Sequence, residues 1–186
     1  MHPRSVQEDL LYMPRVVVSG AAAGAASRLS KTLADRMGVK WIGLQALDAE
    51  TRRAGTPAHA GRRLDHELAD PAWVVLDDRP EFRDRVWRRA LALVWLDYTL
   101  GTVLLDRCGD AFRRLLPRRK NGSDDRSRTI GHRSVFRVRR HHFEYARRYP
   151  ALLIRPEYAH LRMIRLASPR ITARWLAADG SAPSSV

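Results

Sequence analysis

Gly20, Gly24 and Ser27 have the types and spacing that handle phosphate. They fall in Arg15-Val-Val-Val-Ser-Gly-Ala-Ala-Ala-Gly-Ala-Ala-Ser-Arg-Leu29: a β-branched run, a small-residue stretch, then a helical pattern. A phosphate-binding loop needs that order. Its motif is a glycine, four residues, a second glycine, a lysine and a Ser or Thr. Aligned on Gly20, the hydroxyl falls on Ser27, but the second glycine is Ala25 and the lysine is Ala26. Backbone N–H groups and a helix dipole would still favour an anion here, and Ser27 could contact Mg²⁺. Ala25 is costly if its position needs a left-handed backbone, on the order of 1 kcal/mol. The missing lysine matters more. Loss of one such electrostatic donor costs about 10²–10³ in rate. Arg28 is the nearest cation, turned about 200° around a helix from position 26, and Lys31 lies a turn further on. The competing reading is a plain strand-to-helix turn that binds nothing.

Three aspartates, Asp48, Asp77 and Asp97, follow apolar runs. Carboxylates so placed position Mg²⁺ or a substrate hydroxyl in phosphoryl transfer. They also cap helices, and for Asp97 the cap is the preferred reading. Arg113, Arg114, Arg118 and Arg119 precede a polar stretch at 117–129, and Arg137, Arg139 and Arg140 follow it. They could close over a phosphate as a lid, or form a solvated basic face. His141 and His142 are neighbours, about 100° apart on a helix. They cannot easily share a metal, and are read as surface residues. Trp73, Trp87, Trp95 and Trp175 lie in or beside apolar runs and are read as core.

These residues need a scaffold. Val16–Ser19, Lys40–Leu44, Trp73–Leu76, Leu91–Leu96 and Leu161–Leu166 read as strands. Between them, Ser27–Met37, Ala58–Ala69, Pro80–Arg89, Tyr98–Leu116, Ser134–Tyr149 and Pro169–Ala178 read as helices. Gly38 marks the end of the first helix. Alternation of this kind predicts an α/β fold with a five-stranded parallel sheet, the first strand central. Ligands then bind outside the carboxyl ends of the strands. Gly20–Ser27, Asp48, Asp77, Asp97 and Ser168 should gather along that edge.

The chain resembles the topology-modulation-protein group of small P-loop kinases, relatives of adenylate and shikimate kinase. Four segments carry the resemblance: 15–29; Trp73-Val-Val-Leu-Asp-Asp-Arg with Arg83-Asp-Arg-Val-Trp87; Leu93-Val-Trp-Leu-Asp-Tyr98; and Arg147-Arg-Tyr-Pro-Ala-Leu-Leu153 through Leu166-Ala-Ser-Pro-Arg170. The resemblance implies a nucleoside-monophosphate-kinase-like P-loop fold, a three-layer sandwich with an arginine-rich lid. It also implies ATP and Mg²⁺ as cofactors and Ser168-Pro169 near the adenine. Cofactor-site residues would be Gly20, Gly24, Ala25, Ala26, Ser27, Arg28, Ser168 and Pro169. Catalytic candidates are Asp48, Asp77, Arg113, Arg114, Arg137 and Arg140. Departures fall where substrate or phosphate would bind. Besides Ala25 and Ala26, the turn after the third strand is Asp77-Asp-Arg-Pro80, and the lid signature is reduced to Lys120-Asn-Gly-Ser123.

Composition bounds the rest. At 186 residues with 45% apolar residues, the chain is expected to form one domain. We expect an extension at 1–13, a kinase-like domain at 14–178 with a basic lid region at about 107–148, and a polar tail at 179–186. The single cysteine, Cys108, excludes an internal disulfide. The first residues lack a secretory pattern, and the longest apolar run, Ala90–Leu96, is too short for a bilayer. A cytoplasmic protein is expected. The net charge is +14, and residues 107–148 carry 14 Arg and Lys against 4 acids. Such a block attracts anions. Two functions follow: an ATP-dependent phosphotransferase of weak or no activity on a small molecule or nucleotide, or a non-catalytic module binding nucleotide, nucleic acid or protein through its basic face.

Overall fold

The computed structural model describes residues 13–45, 57–77, 79–106 and 132–177. Strands β1 (Arg15–Gly20), β2 (Lys40–Gly43), β3 (Trp73–Leu76), β4 (Ala92–Leu96) and β5 (Arg162–Leu166) form one sheet. All pairings are parallel, in the order β2-β3-β1-β4-β5, so β1 is central as its sequence predicts. Side chains of a strand alternate between faces. Val16 and Val18 enter one core layer, and Val17 enters the other. A strand buried on both faces needs the continuous β-branched run found here.

The helices are α1 (Ala23–Met37), α2 (Pro57–Glu67), α3 (Arg83–Trp87), α4 (100–106, its described part), α5 (His132–Leu153) and α6 (Pro169–Ala177). Leu29, Leu33 and Ala34 of α1 pack on the first face of the sheet, beside Trp175 and Leu176 of α6. Leu64 of α2, Val86 and Trp87 of α3, and Tyr149 of α5 pack on the other. Helices therefore cover both faces of a three-layer sandwich. Gly38 ends α1 with φ 63°, its N–H bonded to Ala34 and Asp35 carbonyls. That is the left-handed stop read from the sequence.

Two helix limits depart furthest from expectation. The first helix begins at Ala23 rather than Ser27, because its alanines favour helix and Ala22 and Ala26 are buried in the core. α5 runs through Pro150 to Leu153 instead of stopping at Tyr149. An internal proline costs about 3 kcal/mol, and packing of Leu152 and Leu153 against the second core layer opposes that cost.

Gly20 meets a packing need. A Cβ placed there would lie 2.7 Å from both Cβ and the carbonyl oxygen of Leu96, its partner across the sheet. Gly20→Ala should lower stability by about 1–3 kcal/mol through overpacking. Urea denaturation measures this, and an unchanged midpoint would refute the packing role.

Candidate functional site

The carboxyl edge of the sheet carries the candidate site. Only Ala21 and Ala22 separate β1 from α1. Gly24, Ala25, Ala26 and Ser27 thus lie inside the helix rather than in a wide loop around it. Among the described residues only Gly38 has positive φ, so Ala25 carries no left-handed strain. Ala26 donates its N–H to the Ala22 carbonyl at 2.9 Å, and its methyl is buried in the core. The position expected to hold the phosphate-binding lysine therefore points inward. Ser27 is the fifth residue of α1, a full turn from its N-terminus.

A carboxylate of the chain itself stands at that N-terminus. Ala25 N–H donates to Asp106 Oδ2 at 3.2 Å, and the Arg28 guanidinium pairs with Asp106 Oδ1. Asp106 is nearly buried, with 8% of its side chain exposed. A helix N-terminus favours negative charge, and Asp106 supplies it from α4. Arg28 is engaged here, and Lys31 lies 4.8 Å over the Trp41 ring.

Asp77 closes β3 beside the end of β1. Its Oδ2 accepts Arg83 Nε at 3.0 Å, Tyr149 OH at 3.0 Å, Trp87 Nε1 at 3.2 Å and Ser19 Oγ at 3.3 Å. The side chain is wholly buried, and Oδ1 has no hydrogen-bond partner among the described residues. Aromatic rings enclose this pair. Tyr145 stacks on Tyr149 at 4.6 Å, and Trp95 stacks on Tyr149 at 5.8 Å. The guanidinium of Arg83 lies 5.1 Å from the Tyr149 ring centre and 5.3 Å from that of Trp87. Burial acts to lower the Arg83 pKa, but the charge of Asp77 and the neighbouring Tyr149 outweigh it and keep Arg83 protonated. Burial, reinforced by Asp77, pushes Tyr149 well above the usual phenol value. α5 thus places two tyrosines over the carboxylate that sequence reading offered to Mg²⁺ or substrate.

The remaining candidates are dispersed. Asp97 does not cap α4: it accepts Arg165 Nε at 2.8 Å, and Thr99 caps instead through its Oγ1 to the Thr102 N–H. The cap reading of Asp97 is corrected because Arg165 lies on the adjacent strand β5. Ser168 accepts the Ile171 N–H at 3.2 Å and caps α6, with Pro169 as its first residue. Arg137 and Arg140 lie on α5, Arg140 exposed. Asp48, Arg113, Arg114 and the polar stretch 117–129 lie outside the described residues. The surface reading of His142 is also corrected. His142 is half-buried and lines a cavity of about 10 Å³ with Ala21, Trp95, Leu96, Asp97, Tyr98 and Tyr145. That space holds about one water molecule. Among the described residues, no three His, Cys, Asp or Glu side chains converge on a metal position.

Sequence reasoning missed Arg83, Tyr145, Tyr149 and Asp106 as parts of this edge. Arg83 and Trp87, like Tyr145 and Tyr149, are four residues apart and so share a helix face. That spacing could have marked them. Asp106 carried no local signal.

Tyr158 gives a pH prediction. Burial and its hydrogen bond to Asp84 push its pKa up to about 12, and Tyr98, Tyr145 and Tyr149 are also raised. The unfolded chain releases these protons near pH 10, before the folded chain does. Stability should be full below about pH 10 and fall as pH rises towards 12. Phenolate absorbance and circular dichroism should change together in an alkaline titration. Full phenolate formation with the fold intact would contradict this.

The sheet order, parallel strands and two helical layers define an α/β domain, a three-layer sandwich around a five-stranded parallel sheet. A solved gluconokinase from Sinorhizobium meliloti 1021 is 16% identical over 89% of this chain and 90% of that chain, with a TM-score of 0.47. No family model matches the chain, and no curated protein matches it. No helix among the described residues is long and apolar enough to cross a membrane.

Proposed function

We propose that this protein is a P-loop-kinase-fold descendant, set beside the topology-modulation-protein group, whose phosphotransfer site has closed on itself. It functions as a non-catalytic binding module. The observation that carries this reading is the Asp106 carboxylate at Ala25 N–H and Arg28. A phosphate entering there meets a fixed negative charge and finds its donors taken. Two further observations support the reading. Position 26 faces the core instead of the phosphates, and Asp77 is enclosed by Arg83, Trp87 and Tyr149. Residues arranged in this way do not fit Mg²⁺ and ATP.

Calorimetric titration of Mg-ATP into the wild-type chain tests the proposal. Binding weaker than micromolar is expected. Asp106→Asn removes the competing charge and should raise affinity by about tenfold, as one recovered charged contact allows. Micromolar or tighter binding by the wild type, or sustained phosphotransfer, would overturn the reading.

A further inference from the structure

We infer that the outer face of α5 binds a single-stranded polynucleotide. The inference deepens the binding-module reading and rests on it. α5 contains six arginines and one acid, Glu144. Its inward face is committed: Tyr145 and Tyr149 pack over Asp77, and Leu152 and Leu153 pack into the core. Outward stand Arg139, Arg140, Phe143 and Arg147, all exposed. Arg139, Phe143 and Arg147 are spaced by four and form one stripe, about 12 Å from first to last.

Phe143 is the informative member. It is a large apolar ring with 48% of its surface exposed, on an otherwise cationic face. The Arg139 guanidinium lies 5.7 Å from its ring centre. An exposed ring between cations presents a stacking surface for an unpaired base, while the flanking guanidinium groups meet backbone phosphates. Duplex DNA keeps its bases stacked inside and would leave the ring idle. Ile154, just past the end of α5, is exposed as well, so anionic vesicles supply the competing surface in the test. The net charge of +14 complements a polyanion over the whole chain.

The test is fluorescence anisotropy of a labelled oligothymidylate of about 20 nucleotides with the full chain, over a salt series. Binding should weaken steeply with salt. Arg139→Gln with Arg147→Gln should reduce affinity about tenfold and lower the log–log salt slope by about 1.4, since each phosphate neutralised on a single strand contributes about 0.7. Phe143→Leu should weaken binding about fivefold or more and leave the slope unchanged. All three positions are exposed, and circular dichroism verifies the fold of each variant. Equal affinity for a duplex of the same length, or variants that bind like wild type, would overturn the inference. So would binding to phosphatidylserine vesicles without binding to the oligonucleotide. The two readings fail separately: tight Mg-ATP binding sinks the non-catalytic reading, whereas no oligonucleotide binding by a chain that also ignores ATP sinks only this one.

Discussion

Arg83→Met should cost about 3–5 kcal/mol of stability, because it leaves the Asp77 carboxylate buried without its cation. The Asp77 side chain is 0% exposed and that of Arg83 only 12%. Water cannot replace the lost guanidinium. The remaining donors, Tyr149, Trp87 and Ser19, are neutral and do not compensate a full charge. Replacing both charges by apolar groups, as in Asp77→Leu with Arg83→Met, should recover much of the loss, since a buried pair and an apolar pair of similar volume differ far less. Urea unfolding followed by tryptophan fluorescence reads both variants, with Trp87 inside the cluster as a probe. A single Arg83→Met variant within about 0.5 kcal/mol of wild type, the range of an ordinary surface change, would mean that the pair is not structural.

Ala26→Lys should destabilise the chain by at least about 3 kcal/mol. Sequence reading makes this change, with Ala25→Gly, a repair of the phosphate loop. The fold makes it an intrusion. Ala26 is 1% exposed and packed within the α1 face of the core. A lysine there adds volume, at about 1–3 kcal/mol, and a charge whose burial costs several kcal/mol more. Burial depresses a lysine pKa, so the deficit should be largest at acid pH, below that depressed pKa, where the lysine is charged in the folded chain as well. It should shrink as pH rises towards about 10, where the unfolded chain also loses the proton. Ala25→Gly should likewise cost about 1 kcal/mol of helix propensity rather than restore a needed freedom. Thermal unfolding over a pH series checks both. A stable Ala26→Lys protein with increased ATP affinity would show that α1 can unwind to form a conventional loop.

Local pattern made the scaffold legible. The Val16–Val18 run, the four-residue spacing of Leu29, Leu33 and Met37, and Gly38 each state a dihedral or burial requirement within one segment. The limits of α1 and α5 were less legible, because Ala26, Leu152 and Leu153 draw their helices onward by packing against distant residues. The site was legible only as a set of absences. Ala26 announced that the phosphate-binding cation was missing, but not that its position faces the core.

The sequence by itself determined five strands, their alternation with helices, a central first strand and the alanine at position 26. Those properties follow from short-range periodicity, which is written in consecutive residues. Only the tertiary structure decided what occupies the carboxyl edge of the sheet. Asp106 reaches Ala25 across 81 positions, Asp77 reaches Ser19 across 58, and Tyr149 reaches Ser19 across 130. No local spacing encodes such contacts. They arise when the sheet brings the ends of β1, β3 and β4 together and α5 folds across them, so that Asp77, Tyr145 and Tyr149 meet at its carboxyl edge.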